Sequence, residues 1–390
     1  MRTLISTTTA LLVLTTFSWA DDPPTRSLGR VFAKLEAGQP VTVAYFGGSI
    51  TAAPGYRVNV TKWLQERFPK AQVREVNAAI GGTGSDLGAF RCGVDVIAQQ
   101  LDLVFVEFNI NDGSPVDDFH KATMEGIVRQ LWSSKSQPEI VFLYTTSRKL
   151  NERRGSHPAV AKHYGIPEID LQPPLVEALK RTDLPKPTEE QLHDPKLDWN
   201  EPGQVFMSDS VHPNALGHSI YTDTIVGYLK TQIGKEAGPP PGLPAPLISE
   251  EFANVALVPP SQAKLSGEWE VIPPTDKGRY RHGTINARQP GDAFEYTFDG
   301  TGIALFLNVQ KDGGKFKWTV DQKGDGSAAK SGVVDTAPGP YFPRNHYAML
   351  TNGLEPGKHV FRLEVLPEHD KTSTGNRLLI GYIMVAGVPQ

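Results

Sequence analysis

The chain has 390 residues, enough for two or three domains of ordinary size and a substantial core. Its 39 basic and 43 acidic residues give a net charge of −4, so no basic excess points to nucleic acid as a partner. Cys92 is the single cysteine, which excludes an internal disulfide.

The first twenty residues differ in character from the rest. Arg2 supplies a positive start, residues 4–17 are apolar with interspersed threonines, and Ala20 provides a small residue before two aspartates. This pattern is typical of a secretory signal peptide over residues 1–20 rather than of a buried N-terminal helix. We therefore expect a secreted or periplasmic protein. No later apolar run approaches the length of a transmembrane segment.

Residues 25–234 alternate short apolar runs with helical patterns. The expected strands are Val41–Phe46, Val73–Ala78, Leu101–Phe108, Ile140–Tyr144 and a weaker one near Ile169. The expected helices are Val58–Phe68, Gly93–Gln100, Ala122–Ser133 and Ala215–Gln232. Strands separated by helices predict an α/β domain with a parallel sheet covered on both faces. The irregular, Pro-, Lys- and Glu-rich stretch 148–205 is expected to form one wall of a site.

A Pro-rich stretch, residues 235–247, reads as a semi-rigid linker. Beyond it, residues 248–390 show alternating strand patterns with Gly, Asp and Asn turns and no helical segment. The expected strands are Ala293–Phe298, Gly302–Val309, Phe316–Val320, His359–Leu366 and Leu378–Val385. This pattern predicts a second, all-β domain built as an antiparallel sandwich of the jelly-roll type.

The first expected strand ends abruptly at Gly47-Gly48-Ser49. The glycines allow a sharp turn, which would expose the serine hydroxyl at the carboxyl end of the strand. Ligands bind at this end of open α/β sheets. Taken alone, the same residues could equally form an ordinary turn.

Three further stretches place polar groups or glycines in comparable positions. They are Asn77-Ala78-Ala79-Ile80-Gly81-Gly82-Thr83-Gly84, Glu107-Phe108-Asn109-Ile110-Asn111-Asp112-Gly113 and Ser208-Asp209-Ser210-Val211-His212-Pro213-Asn214. With Gly47-Gly48-Ser49-Ile50-Thr51, they resemble, in order, the four sequence blocks of the SGNH (GDSL-type) hydrolase family. The resemblance covers about residues 41–229 and implies a flavodoxin-like, three-layer αβα sandwich.

The resemblance also implies a catalytic triad. Ser49 corresponds to the nucleophile, His212 to the general base, and Asp209 to the residue that orients the imidazole. A serine hydroxyl needs such a base, because it is a poor nucleophile until its proton is removed. Without the other blocks, Asp209 and His212 could instead be a helix cap beside a surface histidine.

The implied oxyanion hole consists of the Ser49 and Gly82 backbone N–H groups and the Asn111 side-chain amide. Glycine suits position 82 because it lets the backbone approach a substrate closely. One departure stands out: the family usually has aspartate before the serine, and this chain has Gly48. Hydrogen bonding behind the serine is therefore expected to differ.

Other candidate residues keep two interpretations. Asn109 could contact substrate or form a turn contact, and His218 is expected to pack or cap in the last helix. Glu107 has no evident role, and Cys92 is more typical of a buried cysteine than of a nucleophile. His157 and His163 lack partners at metal-ligand spacing, so neither a metal nor a cofactor is expected.

The implied reaction is hydrolysis of a carboxylic ester through an acyl-serine intermediate. Export, the lack of an apolar lid and the appended sandwich favour a short, acetyl-type ester on carbohydrate, with no nucleic-acid partner. A general short-chain lipase or arylesterase, and a non-catalytic carbohydrate-binding protein, are the alternatives. Five aromatic residues of the second domain could stack on sugars or pack in the core, namely Trp269, Trp318, Tyr341, Phe342 and Tyr347.

Overall fold

A computed structural model describes residues 23–113, 115–151, 154–275, 280, 282–322, 328–337 and 344–389. The expected signal peptide, residues 1–20, lies outside this range, as do Tyr341 and Phe342. The side chain of Tyr347 is likewise not described. In the described part of the chain, no helix combines the length and apolar character needed to cross a membrane.

The first domain contains a five-stranded, entirely parallel sheet. Its strands are β1 (Val41–Gly47), β2 (Val73–Asn77), β3 (Leu103–Glu107), β4 (Glu139–Tyr144) and β5 (Glu168–Asp170). They lie side by side in the order β2-β1-β3-β4-β5. This is the flavodoxin-like order, whose ligand site lies at the carboxyl ends of the strands where the order reverses.

Helices cover both faces of this sheet. They are α1 (Gly29–Glu36), α2 (Ser49–Ala52), α3 (Tyr56–Arg67), α4 (Ser85–Asp95), α5 (Asn109–Asp112), α6 (Asp118–Ser133), α7 (His157–Tyr164), α8 (Gln172–Ala178), α9 (Glu189–His193) and α10 (Ala215–Gln232). Alternate residues of β1 enter two cores: Val43 and Tyr45 pack against α1, α3 and α10, whereas Ala44 and Phe46 face α4, α6 and α7. The predicted three-layer α/β fold is confirmed.

One expected helix was misplaced. The structure has a helix at Ser85–Asp95 and a short 3₁₀ turn at Ile97–Gln99, instead of a helix over Gly93–Gln100. Gly88 lies inside α4, where a Cβ atom would come within 2.9 Å of the Phe108 ring. The helix thus approaches the sheet closely through this glycine, a tertiary contact that local propensity does not reveal.

The second domain is a β-sandwich, as predicted. Its strands are β6 (Val255–Val258), β7 (Lys264–Ser266), β8 (Trp269–Ile272), β9 (Thr284–Ala287), β10 (Ala293–Gly300), β11 (Gly302–Val309), β12 (Lys315–Gln322), β13 (Ala328–Asp335), β14 (Arg344–Thr351), β15 (Gly357–Val365) and β16 (Leu378–Ala386). They form two antiparallel sheets, β13-β12-β15-β10-β7 and β14-β11-β16-β9-β8, with β6 added beside β16. Side chains from both sheets share one apolar core.

The two domains are packed together. Phe252, Phe306 and Tyr382 of the second domain belong to the same apolar cluster as Phe90 and Trp132 of the first. The buried contact with α4 and α6 holds the sandwich close to the first domain, because separating the two domains would expose apolar surface to water.

The buried carboxylate of Glu125, in α6, holds the end of the connecting segment. It accepts hydrogen bonds from the backbone N–H groups of Leu247, Ile248 (2.8 Å) and Ser249 (3.0 Å), and from the Tyr164 hydroxyl (2.6 Å). Charge-assisted bonds of this kind are stronger than neutral ones. The entry into the second domain is therefore fixed to the first.

Candidate active site

Ser49 begins a short helix directly after the first strand. The pairing with β1 continues past the end of β2, with the Ala78 N–H donating to Tyr45 O (3.0 Å) and the Ile80 N–H to Gly47 O (3.0 Å). Gly48 is buried, whereas Ser49 is partly exposed. The sheet thus delivers the serine hydroxyl to the surface at its carboxyl edge.

His212 lies in a tight loop before α10. A β-bridge between Met207 and Pro213 closes this loop, and the Ser208 N–H donates to His212 O (2.8 Å). The cap of α10 is Asn214, whose side chain accepts from the Gly217 N–H (3.0 Å). The alternative view of Asp209 as a helix cap is therefore wrong.

A chain of two hydrogen bonds joins the three expected triad residues. His212 Nδ1 lies 2.7 Å from Asp209 Oδ2, and His212 Nε2 lies 2.7 Å from Ser49 Oγ. An ionised carboxylate can only accept, so Nδ1 carries the hydrogen and Nε2 accepts from the serine hydroxyl. This arrangement allows His212 to remove the proton of Ser49.

Asp209 is held in its charged form. Its Oδ1 accepts from the N–H groups of Val211 and His212, both at 2.9 Å. Partial burial opposes ionisation, but these N–H groups and the His212 ring outweigh it, so the pKa of Asp209 lies below its ordinary value. A carboxylate ionised in this way can stabilise an imidazolium on His212.

The glycine turn after β2 lies beside Ser49. A Cβ atom at Gly81 would come 3.5 Å from Ser49 Cβ. Gly82 follows with φ +73°, in the left-handed region, and a Cβ atom there would face open space. The turn therefore depends on glycine at position 82 for its backbone conformation and leaves that position open beside the nucleophile.

Asn111 packs against the residue before the nucleophile. A Cβ atom at Gly48 would collide with Asn111 Oδ1 and come 3.4 Å from Thr83 O. An aspartate, the usual family residue, cannot occupy position 48 while Asn111 lies there. The expected oxyanion-hole residues, Ser49, Gly82 and Asn111, are thus brought to one edge of the sheet.

Two supporting interactions were not found from the sequence. Arg91, buried in α4, donates to Gly47 O (3.2 Å) and to Ala78 O, and so ties the ends of β1 and β2 together. Asp112, next to Asn111, accepts from the Ser85 N–H (2.7 Å) and contacts His157 Nε2 (2.7 Å), with both side chains buried. The sequence did not indicate these contacts, because Arg91 and Asp112 bind residues that are distant from them in the chain.

The remaining candidates have structural contacts. His218 Nδ1 accepts from the Tyr56 N–H (3.3 Å), and burial, reinforced by nearby His212, lowers the pKa of His218. His163 contacts Ala245 O in the connecting segment (2.8 Å). Cys92 is fully buried, which raises the pKa of its thiol to about 12 and argues against a nucleophilic role.

Asn109 forms a turn contact. Its Nδ2 donates to Thr145 O (2.7 Å), and its Oδ1 accepts from the Thr145 N–H (3.1 Å). It is completely buried, so it is not placed to contact substrate. Among the described residues, no group of three or more His, Cys, Asp or Glu side chains could hold a metal ion.

The proposed sugar-stacking aromatic residues do not form an exposed platform where they are described. Trp318 is buried between the sheets, so a stacking role for it is wrong. Trp269 is half-buried, and its Nε1–H donates to Ser266 O (3.0 Å) and Ala293 O (3.1 Å). Aromatic side chains are usually drawn into such cores by their large apolar area.

Residues 45–220 match the GDSL-like lipase/acylhydrolase family. The matched segment includes the whole hydrogen-bond chain from Ser49 to Asp209. The first domain belongs to this family. The resemblance found in the four sequence blocks is therefore confirmed, and the protein is an ester-hydrolysing enzyme.

Solved structures share the arrangement of both domains. Two crystal structures of a two-domain esterase active on acetylated mannans, one with mannopentaose, match with TM-scores of 0.77 and 0.76 and identities of 21% and 20%. Each match covers 94% of this chain and 97% of the other. An acetylxylan esterase from Geobacillus stearothermophilus matches 52% of this chain and 97% of its own, at 22% identity and a TM-score of 0.35, too low to bear on the fold. None of the curated proteins matches the chain.

A cleft of about 580 Å³ runs from the GDSL-like domain to the sandwich. Its lining includes Gly81, which lies beside Ser49, and Leu257 and Tyr382 of the second domain. Arg74 and Asn77 line it along the edge strand β2. Its volume lies within the range of ligand-binding clefts.

Asn111→Ala should lower kcat for p-nitrophenyl acetate by about 100-fold or more with little change in KM, because an oxyanion-hole donor acts mainly in the transition state. The matched control is Asn59→Ala, an exposed asparagine that contacts Thr222 in the surface layer. A large rise in KM at unchanged kcat would instead make Asn111 a substrate-binding residue.

Proposed function

We propose that this protein is a secreted serine esterase that removes short acyl groups, in particular acetyl, from carbohydrate. The hydrogen-bond chain Asp209–His212–Ser49, with both contacts at 2.7 Å, is the observation that carries the proposal. That geometry supports the reaction class, and the cleft that Gly81 borders supports the substrate class.

In the first half of the reaction, Ser49 Oγ attacks the ester carbonyl carbon while His212 Nε2 takes its proton. The negative charge that develops on the carbonyl oxygen is stabilised by the N–H groups of Ser49 and Gly82 and by the Asn111 amide. The bond between the carbonyl carbon and the sugar oxygen then breaks, and His212 Nε2 gives its proton to the departing oxygen, which leaves as a sugar hydroxyl.

In the second half, water attacks the acyl-serine. His212 Nε2 accepts the water proton and passes it to Ser49 Oγ as the carboxylic acid leaves. Asp209 stays ionised throughout and stabilises the imidazolium form of His212 in both steps. Its depressed pKa supports this role.

Carbohydrate is supported as the acyl carrier by the cleft and by the structural relative. The cleft has polar residues along β2 and is bordered by both domains, which suits an extended, hydroxyl-rich chain. The two-domain esterase with the same arrangement is active on acetylated mannans. Which polymer this chain accepts is best found by measuring acetate release from a panel of acetylated polysaccharides.

A general short-chain lipase or arylesterase is the competing proposal. It predicts equal or better turnover of small aryl esters than of acetylated polymers. Export is part of the proposal as well and is supported by the charged, apolar and small-residue pattern of residues 1–20. Activity in the culture medium or periplasm of an expressing cell would test it.

Ser49→Ala should abolish acetate release from both p-nitrophenyl acetate and acetylated polysaccharide, while the unfolding temperature changes little. His212→Ala should be nearly as damaging, and the double variant no worse, because the two residues act as one unit. Near-full activity of Ser49→Ala would show that another group is the nucleophile.

If the polymer binds in the cleft, a substitution there should affect kcat/KM for the polymer more than kcat/KM for a small ester. Because the domains share an apolar core, removing everything after Gly234 would expose the contact surface, so a point variant is the sharper test. Arg74→Ala should lower the kcat/KM for acetylated polysaccharide, relative to that for p-nitrophenyl acetate, about fivefold, the loss of roughly one hydrogen bond.

Arg181→Ala is the matched control, because Arg181 is an exposed arginine that forms an ion pair with the surface residue Asp183. It should leave the ratio of the two specificities unchanged. If Arg74→Ala also left the ratio of kcat/KM for polysaccharide to kcat/KM for p-nitrophenyl acetate unchanged, the polymer would not bind in the cleft beside Arg74.

A further inference from the structure

Glu107 is a completely buried carboxyl group behind the nucleophile. It is the last residue of β3 and lies opposite Gly47 of β1. Its Oε2 accepts from the Thr51 hydroxyl (2.8 Å) and its Oε1 from the Thr145 hydroxyl (3.0 Å). None of the groups that shift its pKa is a cation.

The contacts of Glu107 lie on both sides of Ser49. Its backbone oxygen accepts from the N–H of Gly48, the preceding residue (3.2 Å). Its side chain holds Thr51, two residues after the serine and in the same helical turn. One residue of the neighbouring strand therefore binds the chain both before and after Ser49 and so fixes the position of the nucleophile.

Thr51 is held tightly in this position. Its hydroxyl lies 2.6 Å from the Tyr56 hydroxyl, and its backbone oxygen accepts from Arg57 Nε (3.1 Å). It is completely buried, so water cannot replace the Glu107 contact. Tyr56 can donate to Thr51 while Thr51 donates to Glu107, which gives every hydroxyl hydrogen an acceptor.

The second oxygen of Glu107 reaches the oxyanion side of the site. Thr145 forms paired hydrogen bonds with Asn109, the first residue of α5. This short helix carries Asn111, which packs against Gly48. One carboxylate thus connects the turn that bears Ser49 with the turn that bears Asn111.

Keeping this carboxyl group costs stability at neutral pH. Burial raises the pKa of Glu107 from its ordinary 4.5 to about 7, although Thr51, Thr145 and the Gly48 N–H oppose the rise. Because the folded state binds the proton more tightly than the unfolded chain, its contribution to the free energy of unfolding is largest below pH 4.5 and is lost as pH rises towards 7.

Arg57, which donates to Thr51 O, is paired with Glu75 and is not among the groups that most affect the pKa of Glu107. The other ionisable groups that face Glu107 are Tyr56 from α3, Tyr221 from α10 and Asp112 from α5. Asp112 raises the pKa further. A group retained at such a cost next to a reactive serine fits a functional role.

We propose that Glu107 is a positioning residue that fixes Ser49, through Thr51 and Gly48, in line with His212 and the oxyanion hole. Because Gly48 has no side chain that could hold the serine turn, Glu107 of β3 provides those hydrogen bonds instead. The inference rests on the proposed function, with Ser49 as the nucleophile.

The decisive comparison is Thr51→Val against Thr51→Ser, assayed with p-nitrophenyl acetate well below the unfolding temperature of each variant. Valine keeps the shape of threonine but removes the hydroxyl, whereas serine keeps the hydroxyl. Thr51→Val should lower kcat about 100-fold with KM within about twofold, the cost of a displacement near 1 Å at the reacting group. Thr51→Ser should stay within about threefold of the wild type.

A matched pair separates positioning from general stability. Glu107→Gln leaves only one acceptor oxygen and should lower kcat about tenfold. Glu139 is another buried carboxylate of the same sheet, at the amino end of β4, where it accepts from the N–H groups of Arg30 (3.2 Å) and Val31 (3.3 Å). Glu139→Gln should lose stability and keep the wild-type kcat.

Three results would overturn the inference. They are a Thr51→Val kcat within threefold of that of Thr51→Ser, a wild-type kcat in Glu107→Gln, and an equal loss of kcat in Glu139→Gln. The activity of Ser49→Ala distinguishes failure of the inference about Glu107 from failure of the proposed function. An inactive Ser49→Ala alongside a fully active Thr51→Val would reject only the role of Glu107.

Discussion

The hydrogen bond between Ser49 Oγ and His212 Nε2 joins residues 163 positions apart in the chain. It can form because two constraints are met together. The parallel sheet brings β1 to its carboxyl edge, and the closed Met207–Pro213 loop before α10 presents the imidazole at the same edge. The contacts of Gly48 with Glu107 and of His212 with Asp209 help to hold these two ends in place.

Close backbone packing is the second condition of the site. Gly48 accommodates Asn111, Gly88 lets α4 approach Phe108, and the left-handed Gly82 shapes the turn beside the serine. Side-chain support therefore comes from neighbouring elements. Arg91 ties the strand ends together, and buried Glu107 links the serine turn with Thr145. Backbone proximity and buried polar contacts explain why this site tolerates glycine before its nucleophile.

The layers of the fold could be predicted because they leave local patterns, whereas the grouping of Ser49, Asp209 and His212 was expected from the resemblance of the four sequence blocks to the SGNH family. Apolar runs ending in glycine and polar residues mark parallel strands, and α10 matches its predicted bounds of Ala215–Gln232. What escaped prediction depends on distant partners. The displaced helix α4 follows from its contact with Phe108. The short strands β6 and β9 pair with β16, β7 pairs with β10, and β8 pairs with β9. The roles of Glu107 and His157 likewise appear only when their partners are brought together.

In the proposed mechanism, Ser49 carries the acyl group during turnover. The most direct measurement is mass spectrometry of peptides from the wild-type enzyme, quenched in acid within milliseconds of mixing with p-nitrophenyl acetate. We expect one acetyl group on the peptide that contains Ser49, appearing with the initial burst of p-nitrophenol and absent from Ser49→Ala. An acetyl group on another residue during turnover, with Ser49 unmodified, would contradict it.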